Sequence, residues 1–325
     1  PPTPEEVAER FGSDGEKLQT LFKLPSELPE VNTSQSFSAT SGEDYWISFN
    51  SPSSAMNDIA YARVYEPDAV KNPPTLIFGH GICVEADNYH QILDDVSELT
   101  SMGIRVIKPE APWHGRRLLP GYYGGEKLLS AMPSSMIEFM AAQHKEWASI
   151  INWSRKTSSG PIAIGGSSLG AQTAKSIAVK ACDWPQYLRP DALFVSAHCA
   201  HIAETALDGG LSELWNLRET MKAKGWHRDL EKMWLDRLDP KALTCVKGQN
   251  IVSVIGWKDR VTPAASVSKQ LDFWQVPREN RFSYNRGHFS IPLGIINDNS
   301  PLAKLSEILH NDTIMSNDRS NGCQN

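Results

Sequence analysis

Pro161-Ile162-Ala163-Ile164-Gly165-Gly166-Ser167-Ser168-Leu169-Gly170 is an uncharged run that passes from apolar residues into a glycine–serine turn. Its first five residues have the length and composition of a buried strand. Beyond the turn, Leu169, Ala171, Ala174, Ile177, Ala178 and Ala181 recur at helical spacing, and the small side chains among them let a helix pack closely on a sheet. Gly166-x-Ser168-x-Gly170 between strand and helix reads as a nucleophile elbow, a tight turn that holds one serine in a strained conformation and presents its hydroxyl. Ser168 takes the central place and Ser167 the variable place before it. A glycine-rich turn opening an ordinary helix explains the pentapeptide equally well, so its partners decide.

A serine hydroxyl is a weak nucleophile unless a base removes its proton and a third group orients that base. The chain supplies both downstream, in the order serine, aspartate, histidine that such an elbow expects. Ile251-Val252-Ser253-Val254-Ile255-Gly256 is a β-branched apolar run, and Asp259 lies just past its end, in a loop that Pro263 leads into the next helix. A further strand over about Arg281 to Tyr284 ends in Asn285-Arg286-Gly287-His288-Phe289. Alone, Asp259 reads equally as a helix cap and His288 as a surface-loop residue. Each stands at a strand's carboxyl end, and their order makes coincidence a poor explanation. Leu76-Ile77-Phe78-Gly79-His80-Gly81-Ile82-Cys83 adds a strand running into a His-Gly loop. The Ile82 and Leu169 amides are the expected oxyanion donors, and His80 is expected to brace the loop.

Together these motifs resemble the α/β-hydrolase superfamily, over roughly residues 45 to 295. The resemblance implies an eight-stranded-type, mostly parallel sheet with helices on both faces and a small helical cap. It implies Ser168 as nucleophile, His288 as general base and then acid, Asp259 as its orienting carboxylate, and an acyl-enzyme mechanism without metal or organic cofactor. It does not identify the substrate, because one fold hosts many activities.

The pattern along the chain agrees. Tyr45–Phe49 and Ala60–Tyr65 alternate like antiparallel edge strands, while strands at Gly103–Ile107 and Ala192–Val195 bracket a long helix over about Ser134 to Arg155. Such alternation predicts crossover connections and a mostly parallel sheet. The expected organisation is an N-terminal arm over 1–40 with a short helix around Glu5 to Phe22, a core over 41–201 and 239–310, a cap over 202–238, and a tail over 311–325. The segment 202–238 carries Trp215, Trp226, Trp234 and many leucines and methionines. It reads either as a cap walling the substrate site or as helices that merely cover the core.

With 325 residues, 40% hydrophobic composition and net charge −6, the chain fits one large α/β domain, and its charge argues against a polyanion-binding surface. No run approaches the roughly 20 apolar residues of a membrane span. Cys83, Cys182, Cys199, Cys245 and Cys323 are scattered and odd in number, which argues against a zinc site or disulfide framework. Reduced thiols in a cytoplasm are expected, with a single bridge in an exported enzyme as the alternative.

A further loop follows the strand ending at Ile107 and carries Trp113, His114, Arg116 and Arg117, then Tyr122 and Tyr123. Its place at a strand's carboxyl end puts it near the expected site. The arginines would bind a substrate carboxylate or phosphate, or pair internally with Glu110 or Glu126. His198 and His201 lack nearby carboxylates in sequence and read as packing rather than a metal site. The expected activity is hydrolysis of a carboxylic ester of small or medium size. The alternatives are the same triad acting on an amide, thioester or carbon–carbon bond, and a hydrolase fold used as a binding module.

Overall fold

The structure, a computed structural model, describes residues 1–13, 15–39, 42–83, 95–239 and 241–311. The expected C-terminal tail therefore lies outside the described residues apart from residue 311, and so does Cys323. Ten strands form one sheet: β1 (Asn32–Thr33), β2 (Phe37–Ala39), β3 (Gly42–Asn50), β4 (Ile59–Pro67), β5 (Thr75–Gly79), β6 (Arg105–Pro109), β7 (Ile162–Ser167), β8 (Ala192–Ser196), β9 (Ile251–Gly256) and β10 (Arg281–Tyr284). Their order is β1-β3-β4-β6-β5-β7-β8-β9-β10, with β2 paired to β3. From β6 to β10 every pairing is parallel, while β1 to β4 add an antiparallel edge. The two strands beyond the expected eight, β1 and β2, are short and come from the segment read as an arm.

Alternation along the central strands explains the two covered faces. Ile77, Ile107, Ile162, Ile164, Leu193 and Val195 point to one face. There they meet Trp147 and Ile151 of the helix Ser134–Thr157, Ala174 and Ile177 of the helix Leu169–Lys180, and Leu271 of the helix Val267–Phe273. Leu76, Val106, Ala163, Phe194 and Val252 point to the other face, against Leu99 of the helix Asp95–Ser101 and Leu305 of the helix Ser300–His310.

A second core stands beside this sandwich. Met136, Phe139 and Met140, on the first half of the 24-residue helix Ser134–Thr157, meet Leu207, Met221 and Trp234 of the segment between β8 and β9. The described residues of that segment form four short α-helices, Ile202–Asp208, Gly210–Leu214, Leu217–Lys222 and Arg228–Leu235. Val7, Phe11 and Leu18 of the N-terminal residues complete the cluster. The helix expected over Glu5 to Phe22 is two, Pro4–Phe11 and Leu18–Phe22. Gly12 and Gly15, at φ +85° and +79°, supply the left-handed backbone that interrupts it.

Candidate active site

Because β5 to β10 run parallel, their carboxyl ends share one edge, and the loops carrying residues 80–83, 110–117, 168 and 197–201, Asp259 and His288 all leave from it. Ser168, the residue after β7, adopts φ 56° and ψ −115°. Its amide donates to the Ser196 carbonyl at 3.1 Å, and the Gly170 amide donates to the His80 carbonyl at 3.0 Å. The turn closes this tightly because a Cβ on Gly170 would lie 2.1 Å from the Gly79 oxygen.

The structure brings together Ser168, His288 and Asp259, which lie far apart in sequence. Ser168 Oγ is 3.0 Å from His288 Nε2, and His288 Nδ1 is 2.8 Å from Asp259 Oδ2. The carboxylate is an acceptor only, so Nδ1 carries the proton and Nε2 accepts from the serine hydroxyl. Asp259 Oδ1 accepts from the Val261 and Thr262 amides at 2.9 and 2.8 Å, and Oδ2 also accepts from Thr262 Oγ1 at 2.7 Å. Burial raises the Asp259 pKa, but the contacts with His288 and Thr262 outweigh it and leave the carboxyl below its ordinary value. Thr262 escaped sequence reading; its signal is a threonine three residues past the carboxylate, placed to donate back to it.

No partner is found for the Leu169 and Ile82 amides among the described residues. His80 accepts from the Ala111 amide through Nε2 at 3.1 Å and donates through Nδ1 to the Gly81 carbonyl at 2.7 Å. Both nitrogens are thus spent on the loop, and burial lowers its pKa.

The arginine loop is tied to the protein itself. Arg117, 1% exposed, meets Glu146 and Asp58, each at 2.8 Å. Arg116 pairs with Glu110 at 2.7 Å and lies over the Trp46 ring, 3.5 Å from its centroid. His114 is buried, with Nδ1 on the Pro112 carbonyl at 2.9 Å and its ring 4.9 Å from that of His80. Burial lowers its pKa to about 3. Trp113 is buried at φ 64°, while Tyr122 and Tyr123 are exposed. His198 turns to Ser253 at 2.9 Å and His201 to Asp239 at 3.2 Å, so the two rings serve different partners. Among the described residues no group of three or more His, Cys, Asp or Glu could hold a metal ion, and no helix is long and apolar enough to cross a membrane.

No protein-family model matches the sequence, and no curated protein matches it. Solved structures do match. An acetyl xylan esterase from Paenibacillus sp. R4 superposes with a TM-score of 0.60 at 15% identity, covering 90% of this chain and 92% of that one. Acetyl xylan esterase 1 from Thermoanaerobacterium sp. JW/SL YS485 gives 0.57 at 15% identity, covering 94% and 95%. An S-formylglutathione hydrolase from Agrobacterium tumefaciens gives 0.54 at 15% identity, covering 86% and 99%. With its strand order and its elbow at the sheet's central edge, the chain has the α/β-hydrolase fold.

Proposed function

We propose that the protein is a serine hydrolase that cleaves a carboxylic ester through an acyl-enzyme intermediate. The hydrogen-bonded series Ser168–His288–Asp259 carries this reading. Ser168 Oγ attacks the ester carbonyl while its proton passes to His288 Nε2, and Asp259 stabilises the imidazolium that forms. The Leu169 and Ile82 amides, with no acceptor among the described residues, are the donors for the developing oxyanion. Collapse breaks the bond to the alcohol oxygen, and His288 returns the proton to the leaving alcohol. A water, deprotonated by the same imidazole, then releases the acid and regenerates the serine. The esterase names of the similar structures support an ester bond over an amide bond. The helices of 202–238, backed by the N-terminal residues, serve as the cap that walls the substrate. Trp113, His114, Arg116 and Arg117 hold the neighbouring loop in shape.

A fluorophosphonate probe tests the assignment. Ser168→Ala should lose covalent labelling and Ser167→Ala should keep it, and p-nitrophenyl acetate turnover should fall on the order of a millionfold in the first variant alone. Labelling of a folded Ser168→Ala protein would remove the serine from its role. Faster turnover of aminoacyl anilides than of esters by the parent chain would replace the ester with an amide.

A further inference from the structure

Cys182 lies in the 3₁₀ turn Ala181–Asp183 that closes the helix Leu169–Lys180, and Cys245 lies in the segment that leads into β9. The fold brings these two thiols, distant in sequence, into direct side-chain contact. One carbonyl positions both. The Cys245 amide donates to the Ala178 oxygen at 2.9 Å, and Cys182 Sγ lies 4.0 Å from the same oxygen. Cys182 Sγ also lies 3.5 Å from the carbonyl of Leu243, in the segment that carries Cys245. Both residues are partly buried, and Cys245 packs against the sheet's main core. Burial, with Cys182 beside it, pushes the Cys245 thiol up to about 12. Burial and Asp183 raise Cys182 as well, while Arg189 draws both thiols down. Cys199 is engaged elsewhere, accepting from Gln172 at 2.8 Å, donating to the His201 carbonyl at 3.0 Å and meeting Thr205 Oγ1 at 2.9 Å.

We propose that Cys182 and Cys245 are a disulfide-forming pair, closed by exchange with a small disulfide such as oxidised glutathione. Cys182 is the less buried of the two and reacts first. Its thiolate attacks one glutathione sulfur and expels the other glutathione as a thiolate. The Cys245 thiolate then attacks Cys182 Sγ, forms the protein disulfide and expels the second glutathione. The protein gives up two electrons and two protons, and one glutathione disulfide becomes two thiols. A bridge needs facing Cβ atoms roughly 3.5 to 4.5 Å apart, and thiols already in contact come close to that demand. It also replaces two thiols whose ionised forms burial disfavours with an uncharged bond. The bridge closes a loop that holds β8 and all of residues 202–238, and long loops gain most from closure. It pins the segment before β9 to the far end of the helix that begins beside Ser168. The proposal goes beyond ester hydrolysis and stands without it.

Peptide mapping of the full, unmutated chain tests the pair. The reduced protein is incubated with oxidised glutathione, its remaining thiols are alkylated under denaturing conditions, and it is digested with trypsin and chymotrypsin, which together separate Cys182 from Cys199. Mass spectrometry should find the Cys182 and Cys245 peptides joined, two hydrogens lighter than their sum, and reductant should part them. The other cysteines should carry no link to either. The bridged chain should melt about 5 °C or more above the reduced one, a rise that reductant reverses. Cys245→Ser should stop at a mixed disulfide between Cys182 and glutathione, whereas Cys199→Ser should still bridge. A link from Cys182 or Cys245 to any other cysteine, a mixed disulfide that never closes in the unmutated chain, both thiols still open to alkylation, or an unchanged or lower melting temperature once bridged would overturn the proposal.

Discussion

Ser168 sits at φ 56° and ψ −115°, a backbone conformation that costs on the order of 1 to 3 kcal/mol and persists only where its surroundings enforce it. Here they are the Ser196 and His80 carbonyls and the contact of Gly170 with Gly79. Asp259 has the converse character, a buried charge held by four donors. Since its folded pKa lies below the ordinary 3.8, the unfolded chain takes up this proton first as the pH drops. The stabilisation is complete above that ordinary value and drains as the pH falls through the lowered one. Asp259→Asn should therefore flatten the acid side of the stability profile, read by urea unfolding at stepped pH. It should also reduce ester turnover on the order of ten-thousandfold, because the imidazole loses the carboxylate that sets its tautomer. A steep acid limb retained in Asp259→Asn would place the acid sensitivity in other carboxylates.

At the scale of elements, the elbow and the arginine loop make separable demands. Gly170→Ala drives a Cβ to 2.1 Å from a backbone oxygen and should cost about 3 kcal/mol in denaturant unfolding. Gly121→Ala meets open space at φ +84° and should cost only about 1 kcal/mol. Arg117→Gln strips the cation from Glu146, itself 3% exposed, and should destabilise by about 3 to 5 kcal/mol. Turnover of acidic and neutral esters should then fall together; selective loss of acidic esters would restore Arg117 as a substrate-binding residue. These elements also show what could be read in advance. β9 and β10 lie over Ile251–Gly256 and Arg281–Tyr284 as read, because their apolar runs stand between clear turns. β6 runs over Arg105–Pro109, two residues later than Gly103–Ile107, since Gly103 at φ +79° belongs to the turn before it. The convergence of Ser168, Asp259 and His288 was legible because each follows a readable strand. The Arg117–Glu146 pair was not: Glu146 sits within a long helix where an acidic residue reads as solvent-facing, and only the tertiary fold supplies its cation. Thr262 acts through one hydroxyl that no periodicity marks.

At the scale of the molecule, the sheet sandwich and the second core divide the work. The sandwich holds the strand ends, and the second core packs residues 202–238 against the helix Ser134–Thr157, with Val7 and Phe11 in the same cluster. Phe11→Ala should cost about 3 to 5 kcal/mol and raise dye binding to exposed apolar surface; a loss within 0.5 kcal/mol would mean that the N-terminal residues lie loosely on the surface. The same docking has a consequence for how the chain is made. Trp226 Nε1 donates to the Pro2 carbonyl at 2.7 Å across 224 residues of sequence. A ribosome adding about 5 to 20 residues per second needs roughly 10 to 45 s to cover that separation. Throughout that interval Val7, Phe11 and Leu18 are already synthesised while Met221, Trp226 and Trp234, which help to bury them, are still untranslated. These residues are thus among the last to complete their packing, and during translation they are a natural substrate for chaperones that hold exposed apolar chain.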